Sequence, residues 1–129
     1  MSKGDRQLRP SAATTAAGLD HVRLSYEYLD AGEMDAYSSV LDEDMRVDGV
    51  GAGPAHGRAD AVRAACGLAG PVGRHELHRV IGSGSCVVAI GRYRSASADV
   101  EFADVFTLSD RALLLSQRRF RYLEDVPGA

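Results

Sequence analysis

The second half of the chain contains four consecutive strand-like runs separated by short polar breaks. The runs are GRHELHRVIG, SCVVAIGRYRS, ADVEFADVFTLSD and ALLLSQRRFRYL, at residues 73–82, 85–95, 98–110 and 112–123. Val, Ile, Phe and Tyr favour strands. The breaks GSGS, SASA and SDRA suit hairpins, because parallel strands need a much longer crossover. The pattern therefore predicts a sheet of four long antiparallel strands.

Helical patterns occupy most of the first half. We expect a first helix to begin at Thr14 or Thr15, either of which can cap it, and to end at Gly32. Its apolar stripe is formed by residues spaced i, i+3, i+7 and i+10, namely Leu19, Val22, Tyr26 and Leu29. EMDAYSSVL predicts a short second helix, DMRVDGV a short strand, GAGPAHGR a loop and ADAVRAACGLAG a third helix.

Helices that precede the strands predict an α+β fold. We expect a cone-shaped arrangement in which a strongly twisted antiparallel sheet wraps around about three N-terminal helices. The 129 residues suffice for one domain with its own core. We place that domain at residues 14–123, between a flexible N-terminal tail at 1–13 and a C-terminal tail at 124–129.

Composition excludes several classes of function. A net charge of −3 lacks the basic footprint of a nucleic-acid-binding protein. No apolar run is long enough to span a membrane, and the N-terminus lacks the apolar core of a secretory signal, so we expect a cytoplasmic protein. Cys66 and Cys86 are too few for a disulfide framework, and we interpret them as reduced structural residues.

The stretch VEFADVFTL places one acid at the centre of an apolar strand face. Because side chains alternate along a strand, one face is shared by Val100, Phe102, Asp104, Phe106 and Leu108. A carboxyl group lining an apolar pocket has a raised pKa and can exchange protons near neutral pH. The alternative is a buried ion pair of Asp104 with Arg92 or Arg118 on a neighbouring strand.

Other candidates lie nearby in the sequence. Asp48 precedes a glycine loop that contains His56, and each could act at the mouth of the cone, although Asp-Gly is also a common turn pair and a loop histidine is often merely solvated. His75 and His78 point to opposite faces of a strand, so we expect no metal site, although one of them can face the cavity. Tyr26 lies on the helical stripe and is expected in the core, with its hydroxyl on a polar partner.

Several segments resemble a known family. Three segments are similar to parts of ketosteroid isomerase. Its helix pair is matched by YEYLDAGEMDAYSSVLDEDMRVDG, its strand–loop–helix by VDGVGAGPAHGRADAVRA, and its late acidic strand by ADVFTL. The chain also resembles the SnoaL-like polyketide cyclases of the nuclear transport factor two-like superfamily, over roughly residues 18–123. The resemblance implies that Asp48 is a general base and Asp104 a second acid. The isomerase's tyrosine aligns with Ser25, next to Tyr26.

Three hypotheses follow from the residues and the resemblance together. The first is a cofactor-independent cyclase or isomerase that acts on an apolar, carbonyl-bearing small molecule of secondary metabolism. The second is an epoxide hydrolase or epoxide-opening cyclase, which an arginine paired between two acids would favour. The third is a non-catalytic binding or dimerisation module, which an ion-paired Asp104 and a collapsed cavity would favour. The resemblance also implies a homodimer.

The residues expected to act in catalysis are Asp104, Asp48, Tyr26 and His56. The residues expected to bind the substrate are Phe102, Phe106, Val100, His78 and Arg92.

Overall fold

The computed structural model describes residues 11–50, 53–68 and 73–121. The elements in chain order are α1 (Ala12–Ala31), α2 (Met34–Ser39), β1 (Leu41–Asp48), β2 (Ala55–His56), α3 (Arg58–Leu68), β3 (Arg74–Ser83), β4 (Cys86–Arg94), β5 (Asp99–Leu108) and β6 (Leu114–Arg121). Residues 1–10 of the expected N-terminal tail and all of the expected C-terminal tail, 124–129, lie outside the described residues. So do residues 69–70 of the expected third helix and the end of the fourth run, 122–123.

Helix α1 begins earlier than expected. Its N-cap is Ser11, whose Oγ accepts a hydrogen bond of 3.1 Å from the backbone N–H of Thr14. Residues 12–13 therefore belong to the helix and not to a tail. The helix ends as expected at Gly32, which has a left-handed backbone and donates its N–H to the Leu29 carbonyl. None of the described helices is both long and apolar enough to cross a membrane.

The four strands expected in the second half of the chain form an antiparallel meander, and β1 and β2 extend it. The strand order in the sheet is β2-β1-β6-β5-β4-β3, which leaves β2 and β3 as edges. β1 lies parallel to the last strand, with Asp48 opposite Arg118. The loop predicted around residues 51–58 contains the short strand β2, in which His56 pairs with Arg46. The pairing of β3 with β4 shifts between Leu77 and Arg79, where a bulge adds one residue to β3.

The core lies between the helices and one face of this curled, unclosed sheet. On β5 the expected alternation is confirmed, because Phe102, Phe106 and Leu108 are buried and Val100 is half-buried. Val22 and Tyr26 of α1 pack into the same cluster. We call this the inner face of the sheet and the opposite, helix-free face the outer face. The α+β architecture predicted from the sequence is thus confirmed.

Candidate functional site

Asp104 is fully buried and accepts four hydrogen bonds. Arg119 donates two of them, from Nε to Oδ1 and from Nη2 to Oδ2, both at 2.8 Å. The hydroxyl of Tyr26 donates to Oδ2 at 2.5 Å, and Nε2 of Gln117 donates to the same oxygen at 2.9 Å. The acid in the centre of the apolar strand is therefore a carboxylate held by a complete set of donors.

The arginine that pairs with Asp104 is neither of the two expected from the sequence. Residue 119 lies directly opposite residue 104 across the β5–β6 ladder, so both side chains face inward. Arg118 points outward because successive side chains alternate. Arg92 pairs instead with Glu101 at 2.7 Å, on the outer face. Strand register, which the sequence does not encode locally, selected the partner.

The network holds both Arg119 and Tyr26 in their protonated forms. Burial lowers the pKa of Arg119, but the hydrogen bonds and charge of Asp104 outweigh burial and raise that pKa above its usual value. Burial raises the pKa of Tyr26, and the negative charge and hydrogen bond of Asp104 raise it further. Tyr26 can therefore donate a hydrogen bond but cannot act as a base near neutral pH.

Arg119 has N–H groups besides the two that bind Asp104. Its guanidinium carbon lies 4.1 Å from the centre of the Phe102 ring, which is a cation–π distance. Its side chain is 9% exposed. Within the described residues, Nη1 has no hydrogen-bond partner, since both recorded bonds to Asp104 use Nε and Nη2. A polar atom of a ligand could bind there without displacing Asp104.

A second acid–base pair adjoins this network. His75 at the start of β3 contacts Asp30 near the end of α1 through two bonds. The imidazole Nδ1 lies 2.6 Å from Oδ1, and the backbone N–H donates to Oδ2 at 2.9 Å. Burial lowers the pKa of His75, and the opposing hydrogen bond and charge of Asp30 do not fully offset it. The imidazole is therefore neutral at pH 7.

His75 also lines an open depression at the end of the sheet. This hollow, which we call the β3–β4 depression, has a volume of about 530 Å³. Its lining consists of Arg74, His75, Glu76, Arg94, Ser95 and Ala96. Asp104 itself has no exposed surface, and it lines neither this depression nor the one beside α3. Asp30, His75 and Arg119 all keep some side-chain exposure, and His75 is the one of these three that lines the depression.

Most of the other expected site residues lie elsewhere. Asp48 is exposed, and its carboxylate lies 4.0 Å from Nε of Arg118, whereas Asp104 faces inward. The structure therefore does not bring the two acids together. His56 is exposed on β2 and lines a separate shallow depression beside α3.

His78 is also exposed, 3.5 Å from Glu76, because side chains alternate along β3 and Leu77 faces inward. The bulge after Leu77 turns Val80 inward onto the core, whereas simple alternation would put residues 78 and 80 on one face. Arg92, as described above, lies on the outer face.

The structure distinguishes the two candidate positions on α1. Both Ser25 and Tyr26 are buried. The Ser25 hydroxyl donates to the carbonyl of Val22 in its own helix, whereas Tyr26 reaches Asp104. Sequence reasoning missed Arg119, Gln117, Asp30 and the position of His75. The one available signal was the opposite-face rule for His75 and His78, which required one of them to face inward.

Metal binding has no support in the part of the chain that the structure describes. No group of three or more His, Cys, Asp or Glu side chains there converges as a metal would require.

Comparison with known proteins agrees with this fold. The SnoaL-like domain family matches residues 22–114, and the chain belongs to this family. A protein assigned as a ketosteroid isomerase from Kribbella flavida has a TM-score of 0.75 at 16% identity, covering 89% of this chain and 84% of that one. A search of curated proteins found no match.

Two further solved structures are similar at the level of the fold. A protein assigned as a polyketide cyclase from Sinorhizobium meliloti has a TM-score of 0.69 at 17% identity, covering 78% of this chain and 94% of that one. An LEH-like epoxide hydrolase from M. tuberculosis has a TM-score of 0.71 at 17% identity, covering 84% of each chain. The chain is therefore a SnoaL-like domain with the nuclear transport factor two-like fold, and its site must be interpreted from its own residues.

Proposed function

We propose that this protein is a cofactor-independent cyclase or isomerase that acts by acid–base chemistry on an apolar, carbonyl-bearing small molecule of the polyketide type. The observation that supports this most is Arg119, a largely buried guanidinium that Asp104 holds against the ring of Phe102. A hydrogen-bond donor held in advance, in a place with little water, stabilises the negative charge that develops on a carbonyl oxygen.

Energetics favour a functional interpretation of this pair. Bringing two charges out of water is costly, and apolar replacements of buried ion pairs are often neutral or stabilising. Folding alone therefore does not require Asp104 and Arg119 at the centre of an otherwise apolar face. Strongly perturbed ionisable groups are also concentrated at functional sites.

Each residue of the network has a distinct role in the proposal. Asp104 has no proton to give while it accepts four donors, so it positions Arg119 instead of acting directly as the acid. Tyr26 and Gln117 complete the set of donors that holds Asp104. Phe102 and Phe106 supply the apolar surroundings. The relatives assigned as an isomerase and a polyketide cyclase support this class of chemistry on the same fold.

A non-catalytic binding module is the second candidate. The complete burial of Asp104 in an ion pair favours it, because a sealed network can be purely structural. The epoxide-opening alternative is less favoured, because Arg119 pairs with one acid, not two, within the described residues.

The experiment that separates these candidates measures hydrogen exchange next to a carbonyl. Proton abstraction from the probe ketone 2-tetralone in heavy water incorporates deuterium, which NMR detects. We expect the wild type to accelerate this exchange over buffer and the double variant D104L/R119M to lose the acceleration. R118M is the matched control, because it removes a neighbouring arginine on the outer face.

Unfolding in urea shows whether the variants are folded and similar in stability to the wild type. Removing one charge alone, as in R119M, is expected to cost about 3–5 kcal/mol because it leaves the other charge buried, whereas the double variant is close to neutral. Exchange that persists in a folded D104L/R119M protein would contradict the assigned roles. Binding of 2-tetralone without any exchange would favour the non-catalytic module.

We also propose that a second copy of the chain covers the outer face of the sheet. Ile90, Ala103 and Phe120 lie directly opposite one another on three adjacent strands and form an apolar row there. Ile90 and Phe120 are among the most exposed large apolar side chains described. The same face holds both acids and arginines, among them Glu101 and Arg92, so a two-fold-related copy can place opposite charges together.

A further inference from the structure

We infer that His75, oriented by Asp30, is the proton-accepting residue of this protein, and that the β3–β4 depression binds the carbonyl-bearing end of the substrate. The inference rests on the proposed function and adds to it a base and a place of binding. Neither His75 nor any other residue that lines this depression was among the site residues that the sequence indicated.

The two contacts with Asp30 determine which imidazole nitrogen is available. A carboxylate only accepts hydrogen bonds, so the proton of a neutral imidazole lies on Nδ1, which faces Oδ1 at 2.6 Å. The backbone bond to Oδ2 holds the carboxylate in place. Nε2 is then left with its lone pair, and no described residue forms a hydrogen bond to it. A histidine whose tautomer is set by a carboxylate is suited to accept a proton.

The position of His75 is as important as its tautomer. The His75 side chain is 10% exposed, which shields it from bulk water but leaves it in the lining of the depression. Its ring lies 5.8 Å from that of Phe102, edge to face. Arg119 lies over the same Phe102 ring at 4.1 Å. The proton acceptor and the oxyanion-binding donor are therefore both in contact with one aromatic side chain.

The proposed step can be written with its atoms balanced. Nε2 of His75 takes a proton from the carbon next to the substrate carbonyl, so a C–H bond breaks and an N–H bond forms. The electron pair moves to the carbonyl oxygen, where the resulting enolate accepts a hydrogen bond from Arg119. Asp30 stabilises the imidazolium. The enolate then either takes the proton back at another carbon or attacks a second carbonyl of the same molecule, whose alkoxide takes the proton.

The charge environment of His75 comes from several elements. The groups that face it are Asp30 and Tyr26 of α1, Tyr93 of β4, Asp104 of β5 and Arg119 of β6. Burial and the positive charge of Arg119 lower the pKa of His75, and the charges of Asp30 and Asp104 act in the opposite direction. The pKa lies below the usual value of about 6.5, so the base form persists to slightly acidic pH.

Nitrogen NMR of the imidazoles tests the assignment with a readout that does not depend on catalytic activity. We expect wild-type His75 to be neutral at pH 7 with the proton on Nδ1, and D30N to lose this single tautomer. Adding 2-tetralone should shift the Nε2 resonance of His75 but not that of His78. His78 is a suitable internal control because it lies on the same strand and points to solvent. An Nε2 resonance that 2-tetralone does not move would overturn the proposed binding place.

Deuterium exchange of 2-tetralone tests the base itself. We expect H75Q to slow exchange by about 100-fold or more, H78Q to leave it unchanged, and D30N to lower kcat more than KM. The wild-type rate should be full above about pH 6.5 and decline as the pH falls through the lower pKa of His75. Full exchange in H75Q together with none in a folded D104L/R119M protein would overturn the role of His75 and leave the proposed function standing. If the wild type exchanges nothing, the proposed function fails, and the His75 resonance still decides whether the depression binds the probe.

Discussion

Single residues in this protein obtain their chemical properties from partners that are distant in the sequence. Tyr26 is the clearest case, because an ordinary position on an apolar helix face becomes a donor to a buried carboxylate. Tyr37 is affected similarly: burial, followed by the charge of Asp104, raises the pKa of its phenol to about 12. Both phenols therefore remain protonated in the native state at pH values where they ionise in the unfolded chain.

This difference predicts alkaline sensitivity. An unfolded tyrosine ionises near pH 10, so the stability that these phenols contribute is complete below about pH 10 and is lost as the pH rises. We expect Y26F to be less stable than the wild type at pH 8 by about 1.5–3 kcal/mol, the value of one hydrogen bond to a charged group. Its stability should then decline less steeply towards alkaline pH, because only Tyr37 still contributes. Urea unfolding over this range measures both effects, and parallel curves for the two proteins would refute the prediction.

At the scale of elements, the first hairpin of the meander determines which histidine faces the site. Alternation along β3 turns His75 and Leu77 inward and His78 outward, and the bulge after Leu77 then directs Val80 inward as well. Gly91 lies opposite Leu77, and a Cβ there would be 2.3 Å from the backbone oxygen of Glu76. The close approach of the two strands at this point therefore requires a residue without a side chain.

Replacing this glycine should loosen the hairpin. We expect G91A to cost about 1–3 kcal/mol, because the methyl group meets backbone atoms that cannot rotate away. G53A provides the control, since a Cβ at residue 53 has no heavy atom within 4 Å. Urea unfolding gives the free energies, and equal stability of the two variants would contradict the predicted close packing.

At the scale of the whole molecule, the sheet has two unlike faces. The inner face is covered by helices and contains the polar network, whereas the outer face has the apolar row of Ile90, Ala103 and Phe120 beside paired charges. A row of this kind is more typical of an interface than of a solvated sheet.

The proposed dimer can be tested by mass in solution. We expect light scattering after size exclusion to give twice the 13.7 kDa of one chain. I90E/F120E should give the single-chain mass with an unchanged circular dichroism spectrum, because charges buried at an interface without partners oppose association. T107E is the matched control, since residue 107 is exposed on β5 but lies outside the apolar row. A wild type of single-chain mass would refute the dimer.

Much of the fold was determined by the sequence itself. Alternating apolar residues and short polar breaks predicted all four long strands, and the capping glycine at 32 predicted the end of α1. These features depend on spacing between neighbours along the chain, so the information is local. The same alternation correctly placed Asp104 on the buried face of its strand.

Only the tertiary structure decided how the site is assembled. The choice of Arg119 over Arg118, of Tyr26 over Ser25, and the pairing of His75 with Asp30 all depend on register and helix rotation between distant segments. A shift of one residue in strand pairing would turn Arg119 outward, and the sequence of β6 contains both arginines. The parallel pairing of β1 with β6 likewise joins segments that are more than 60 residues apart in the chain, so no local signal specifies it.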